Sequence, residues 1–321
     1  MSELHSPSVA RVIFGWIGVL FVRLFIPAWI FFGAWSKVMD ASPKSLPRTI
    51  LDAGEAVGFS DHFLLLALLT AIEFLFIAAM LFFPKLARSA AITILSIFLL
   101  VLSVEIYNGA ESCGCLGKVS LKPSTMFAID FGLLLGIVFI KPRKSKRRLN
   151  RGKLGRIGAG IFIAAAWVFT FTSILGAKNS NSTTDLPASW ITPSNFNAWI
   201  GESVDEIDLF SFVTQWPHDI HIGQQYVIFY ARTCDHCEEL LNIHFEFDIR
   251  VPTTLVAIPE MKSGFFEEGQ FENPCVDCAE TELPIGADWL ITPPLVIAID
   301  NGIIQCVTES EDPEDPSCLI W

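Results

Sequence analysis

The sequence predicts a membrane-embedded α-helical bundle followed by an α/β domain outside the membrane, and three observations carry that reading. Five long apolar runs crowd the first 175 residues. Charge is divided between the two parts: residues 1–184 hold 19 Lys and Arg against 9 Asp and Glu, whereas residues 185–321 hold 3 against 25. The pair Cys234-Asp235-His236-Cys237 stands between a short β-forming run and a helix-forming one. The acidic second part argues against nucleic acid as a partner, because that requires a basic footprint.

The apolar runs are roughly Val12–Trp35, His62–Phe83, Ala87–Tyr107, Met126–Ile140 and Ile157–Leu175. About 20 mainly apolar residues cross the hydrocarbon core as a helix, so the lipid bilayer is the expected surrounding. The fourth run is short and must borrow residues from its flanks. Basic loops stay in the cytoplasm. The segment from Lys141 to Arg148 joins the fourth and fifth runs, and the turn Lys85–Arg88 joins the second and third. Both fit a multi-pass inner-membrane protein with five spans and a cytoplasmic N-terminus. Loops 36–61 and 108–125, and everything after Ala177, then face the periplasmic, extracytoplasmic side. The first run is too long for a signal-peptide core and lacks a clear cleavage site, so it reads as an uncleaved anchor. The expected organisation is a four-helix membrane domain over 1–150, a fifth span with a polar linker over 151–195, and the α/β domain over 196–321.

Gln225-Tyr226-Val227-Ile228-Phe229-Tyr230 reads as a buried strand. The loop Ala231-Arg232-Thr233 then leads to Cys234-x-x-Cys237 and to the helix-forming Glu238-Glu239-Leu240-Leu241. A dithiol at a helix N-terminus after a strand is the context of a redox pair. Free N–H groups and the helix dipole stabilise a thiolate there, which makes Cys234 the attacking sulfur and Cys237 the resolving one. His236 adds a cation near that sulfur when protonated. Farther on, Thr292-Pro293-Pro294 precedes Leu295-Val296-Ile297-Ala298-Ile299 and the hairpin signal Asp300-Asn301-Gly302. Strand, dithiol helix, proline and hairpin in this order resemble the thioredoxin fold. The opening from Trp199-Ile200-Gly201-Glu202 to Leu209 resembles its secreted, membrane-tethered members. The resemblance covers about residues 197–310 and implies a cis-proline lying against the dithiol; the spacing from the turn favours Pro294, with Pro293 close behind. It departs from the family in lacking a Trp before Cys234 and in an insertion near 261–288.

Cys275-Val276-Asp277-Cys278 is a second Cys-x-x-Cys. Two such pairs suit a four-cysteine zinc site, but the 37 residues between them exceed the usual spacing of about 15–20. A local disulfide and a second relay pair are the other readings. Cys306 and Cys318 are expected to staple the C-terminal segment.

Cys113-Gly114-Cys115 lies in the outer loop between the third and fourth runs. Two cysteines separated by one glycine close only a small, strained ring, and strained disulfides are the labile kind. Arg23, the run Gly33-Ala34-Trp35-Ser36-Lys37, Glu73 and Cys113-Gly114-Cys115-Leu116-Gly117 together resemble the MauE branch of the DoxX-like membrane proteins, named from methylamine utilisation. The resemblance spans about residues 15–140; Leu116 departs from the common phenylalanine. It implies disulfide handling for exported proteins beside a thioredoxin-like partner, here fused. Charged groups inside a bilayer are expensive, so Arg23 and Glu73 are candidates for a quinone or proton site, or pair with each other. Glu105 and Asp130 are placed near the outer ends of their spans, to handle protons or to face water.

The reading that follows is a membrane-bound thiol–disulfide oxidoreductase. Cys234 and Cys237 act on thiols or disulfides of exported proteins and exchange with Cys113 and Cys115. No tightly bound cofactor is expected; the chemistry points to a membrane acceptor such as a quinone. The competing classes are a membrane-anchored assembly factor with structural cysteines and a metal-trafficking protein.

Overall fold

The computed structural model describes residues 16–109, 121–140, 152–179, 186–193, 195–247 and 250–321. The chain divides into two units, Met1–Ser180 and Asn181–Trp321. The start of the first apolar run, the basic segment 141–148 and the Cys113–Cys115 loop lie outside the described residues.

The first unit is helical: α1 (Trp16–Asp40), α2 (Arg48–Ala56), α3 (His62–Phe82), α4 (Ala87–Tyr107), α5 (Pro123–Phe139) and α6 (Gly152–Asn179). Four of these, α1, α3, α4 and α6, are long and apolar enough to cross a membrane, as a multi-pass membrane protein requires. At 17 residues α5 is about 26 Å long, against a hydrocarbon core of about 30 Å. It starts at Pro123, where a first-turn proline costs no hydrogen bond. Punctuation elsewhere is equally local. Asp61 caps α3 by accepting from the Leu64 N–H at 3.2 Å, and Pro84 follows its end. Ala41 closes α1 in a left-handed conformation, φ 48°.

Packing within this unit uses small residues against rings. The Phe21 ring, on a π-helical turn of α1, crowds Gly136 of α5. The Phe82 ring of α3 leans on Gly158 of α6. Trp167 of α6 donates its indole N–H to the Ala71 carbonyl at 3.1 Å. Fused to α3 in this way, α6 belongs with the helices before it rather than with the linker. The loop between α1 and α3, expected as a plain outer loop, contains α2 and is held by side chains of the bundle.

The second unit contains β1 (Ser189–Ile191), α7 (Asp208–Phe212), β2 (Gln224–Tyr230), α8 (Asp235–His244), β3 (Thr253–Ala257), β4 (Ala279–Glu282), β5 (Asp288–Leu290), β6 (Leu295–Asp300) and β7 (Ile303–Glu309). Among the described residues these form a five-stranded mixed sheet in the order β4-β3-β2-β6-β7. β2, β3 and β4 run parallel, while β6 and β7 run antiparallel. β1, inside the stretch expected as linker, pairs with β5; Trp190 packs there against Trp199 and Trp289. The hairpin between β6 and β7 turns on Asn301 and Gly302, both at positive φ (50° and 77°), as a tight two-residue turn demands.

Alternation along the strands sends side chains to two cores. Val227, Phe229, Leu295, Ile297 and Ile299 meet Leu209, Phe210 and Trp289 on one face. Tyr226, Ile228, Tyr230, Val296 and Ala298 meet Leu240 and Leu241 of α8 on the other. All six cysteines of this unit belong to that second face.

Candidate functional site

The site is built where β2 ends. Its seven residues are buried after the first, which fixes the strand at the centre of the sheet and delivers the chain to one edge. Ala231-Arg232-Thr233 turns it, with the Cys234 N–H donating to the Ala231 carbonyl at 3.2 Å. Cys234 is the N-cap of α8: its extended backbone (φ −93°, ψ 111°) leaves its carbonyl to accept from Cys237 and Glu238, each at 3.1 Å. The Cys237 N–H also points at the Cys234 Sγ, 3.1 Å away. A sulfur in this position replaces the oxygen of an ordinary cap and receives the donors and dipole of the helix end.

Cys234 and Cys237 are joined as a disulfide, with Cα atoms 5.2 Å apart. The two sulfurs differ in access. Cys237 is 1% exposed, whereas Cys234 is half-buried. His236 sits between them in the first turn of α8, half-buried, together with the exposed Asp235 and Glu238. Across the site, the peptide bond Pro293–Pro294 is cis, and the Pro293 carbonyl oxygen lies 3.7 Å from the Cys234 Sγ. The sequence-predicted Cys234, Cys237 and Pro294 are thus brought together.

The approach to Cys234 is braced by the inserted segment. The Arg232 guanidinium lies 3.9 Å from the centre of the Phe265 ring and 3.4 Å from Glu282. The Arg232 carbonyl accepts from the Phe271 N–H at 3.0 Å. Tyr230, at the end of β2, is held above its ordinary pKa by burial and by the nearby Glu280 carboxylate. Thr233 donates to Glu260 at 3.4 Å. Cys275 and Cys278 form a local disulfide in this same insertion, and Cys306 and Cys318 form another. In this form each Cys-x-x-Cys is closed on itself.

Sequence reasoning missed Glu309. Its Oε1 accepts from the Thr292 N–H at 2.8 Å and from the Thr192 hydroxyl at 2.6 Å. It therefore ties the proline loop to the segment after β1. A carboxylate at the end of an edge strand gives no sequence signal for this, since its partners lie 17 and 117 residues away.

In the helical unit the expected pairings change. Glu73 pairs with Lys37, not with Arg23: Nζ and Oε1 are 2.5 Å apart and both side chains are buried. Arg23 instead donates to the Leu81 carbonyl at 2.6 Å. Leu81 is in the last turn of α3, where orphan carbonyls and the negative dipole end attract a cation. Leu81 lies eight residues beyond Glu73, about 12 Å along the helix, so one small site does not include both. Glu105 and Asp130 do not face water, each being 1% exposed. Glu105 accepts from the Thr49 N–H and hydroxyl at 3.0 and 2.6 Å, which holds the first turn of α2. Asp130 accepts from the Trp29 indole at 3.0 Å. Cys113 and Cys115 lie outside the described residues.

Comparison of the sequence with protein-family models gives no match. Comparison with curated proteins and with solved structures gives none either.

Proposed function

We propose that the chain is a membrane-bound thiol–disulfide oxidoreductase, in which a thioredoxin-like domain is joined to a helical membrane domain of the MauE, DoxX-like kind. In this reading Cys234 is the exchanging sulfur and Cys237 the buried resolving one. They oxidise the thiols or isomerise the disulfides of exported proteins; after oxidation they are reset through Cys113 and Cys115, which pass electrons to a membrane acceptor such as a quinone.

One observation carries the proposal: an accessible sulfur caps a helix, joined to a buried one, beside a cis-proline loop. The buried partner is shielded from substrate, so a substrate thiolate attacks Cys234 and displaces Cys237. When the second substrate thiol then attacks the mixed disulfide, Cys234 is the leaving thiolate; the helix N–H groups stabilise it, and low-pKa leaving groups depart faster. The strand order and the parallel β2–β3 pairing agree with a thioredoxin-like sheet. The basic loops of the first part support an N-in topology with the acidic domain outside.

The direction follows from the sequence: no cysteine occurs in the segments read as cytoplasmic, so an inward electron source has no thiol to use. The test is single-turnover reoxidation of the reduced soluble pair in purified full-length protein with added quinone. Cys113→Ser is expected to abolish the quinone-dependent phase while leaving Cys234 reactive to alkylation. Reoxidation at the wild-type rate in that variant refutes the relay. A soluble pair inert to mild reductant and alkylation refutes the oxidoreductase reading itself.

A further inference from the structure

An ionisable side chain buried within a bilayer is expensive, so each one is matched by a partner or by a use. Among the described residues of the helical unit most are matched. Glu73 is paired with Lys37. Arg23 lies against the last turn of α3 through the Leu81 carbonyl. His62 stands 3.4 Å from Glu55. Glu105 accepts from both the N–H and the hydroxyl of Thr49 at the start of α2. Asp130 differs. It is 1% exposed and lies about 10 Å along α5 from Pro123. One of its oxygens accepts from the Trp29 indole, a neutral donor. Among the described residues the other oxygen accepts nothing, and no cation pairs with the group. The fold makes a place for this carboxyl group and supplies no charge to balance it.

We infer that Asp130 is the internal acid of the relay: it holds a proton and passes it to an oxygen of a quinone-type acceptor that arrives through the lipid. The inference rests on the oxidoreductase reading above and gives that reading an acceptor site. The surroundings suit a flat, apolar ring. Met126 and Phe127 stand one turn before Asp130 on the same side of α5 and pack with Leu102 and Trp29. Phe127 stacks on Phe131 with ring centres 5.9 Å apart, and Phe131 is 44% exposed. A ring reaching α5 from the bilayer therefore meets aromatic faces first and a carboxyl group beside them. The segment that carries Cys113 and Cys115 joins α4 to the Pro123 end of this same helix.

The step balances in electrons and protons. Oxidation of the Cys113 and Cys115 thiols to a disulfide releases two of each, and conversion of a quinone to a quinol takes up two of each. Asp130 supplies one of those protons: its O–H bond breaks as an O–H bond of the quinol forms. The carboxylate left behind is reprotonated by one proton from the thiols. The second quinol proton is taken from water, which receives the other thiol proton. Two thiols and a quinone thus give a disulfide and a quinol, with Asp130 returned to its starting form.

The test uses full-length protein in detergent micelles and a short-chain quinone. Asp130→Asn keeps an oxygen for the Trp29 indole and removes the proton. It is expected to slow quinone-dependent reoxidation of the reduced protein by about tenfold or more, while alkylation of Cys234 stays within about twofold. A second readout involves no turnover. Quinone added to the oxidised protein, where no electrons can move, is expected to shift a carboxyl C=O band in the infrared spectrum, and Asp130→Asn is expected to lack that shift. A slowing of less than about tenfold in Asp130→Asn, with the reaction still abolished by Cys113→Ser, overturns the inference and leaves the relay standing. So does a wild-type protein that reoxidises with quinone but shows no carboxyl shift, a result that holds even if the variant fails to fold. A shift that persists in Asp130→Asn overturns it as well. If the wild type has no quinone-dependent phase, or keeps one in Cys113→Ser, the relay falls and the inference falls with it.

Discussion

Glu73→Gln should destabilise the helical unit far more than removing the whole ion pair does. Glu73 stands about 17 Å from the start of α3, a helix about 32 Å long, so its charge is near mid-span. The Lys37 ammonium is 2.5 Å away, and the two side chains are 9% and 8% exposed. With an effective dielectric of about 20, attraction at that distance is about 7 kcal/mol. Withdrawing the two ions from water costs several kcal/mol each, which cancels most of that gain. The pair as a whole is therefore close to neutral. Removing one partner leaves the other buried and uncompensated, at about 3–5 kcal/mol. For a unit of this size that lowers the unfolding midpoint by roughly 10 °C. The assay is thermal unfolding of full-length protein in detergent micelles, followed by tryptophan fluorescence. Glu73→Gln and Lys37→Met should each fall by this amount, and the double variant Lys37→Met/Glu73→Leu should return to within about 1 kcal/mol of wild type. Single variants that each cost under about 1 kcal/mol, or a double variant that shows the sum of both losses, refute the reasoning.

Three further outcomes are expected. Trp29→Phe removes the indole donor from the buried Asp130 carboxylate and should cost about 1–3 kcal/mol in the same unfolding assay, with Asp130→Asn adding little on top of it. Burial alone would raise the Asp61 carboxyl, but Lys178, 2.6 Å away, and the N–H groups of Leu64 and Phe63 outweigh it and hold it below its ordinary 3.8. Its stabilisation is thus present above the ordinary value and lost as pH falls through the depressed one. Because about a third of Asp61 is exposed, Asp61→Asn should cost under about 1 kcal/mol near neutrality, and its difference from wild type should shrink as the pH falls below 3.8 through the depressed value. Replacing Cys275 and Cys278 together with serine opens a four-residue loop worth about 2 kcal/mol by chain entropy, while thiol release by Cys234 stays within twofold; loss of that reaction would make the second pair part of the relay.

Local signals in the sequence were sufficient for much of this architecture. Three of the expected runs agree closely with α3, α4 and α5 because apolar length and flanking proline or aspartate act over a few residues. The strand, turn and helix around Cys234 were legible for the same reason: the burial of β2 and the cap of α8 are set within fifteen residues of chain. What stayed hidden depends on partners distant in sequence. Glu73 gave no sign of choosing Lys37 over Arg23, since both cations lie on nearly the same face of α1, about 21 Å apart, and only the position of that helix along α3 decides. Glu105 reads as an end-of-span carboxylate facing water until α2, invisible in a polar loop, folds across it. β1 is only three residues long and takes its place by pairing with β5, about a hundred residues later.

The loop beside the Cys234 sulfur shows how long-range ties complete a site that local sequence sets up. The helix-end donor and the half-exposed sulfur come from the Cys-x-x-Cys segment alone. The cis Pro293–Pro294 loop reaches that sulfur from 59 residues away, and Glu309 holds the loop. Its carboxylate accepts from Thr292 and from Thr192, which is fully buried, and so anchors the loop to the end of β1. The edge hairpin completes the arrangement, since Ser310, the residue after Glu309, donates its N–H to the Pro294 carbonyl. Two adjacent residues at the end of β7 thus satisfy one donor and one acceptor of the loop. The geometry around Cys234 is then a property of β7 as much as of the Cys-x-x-Cys segment itself.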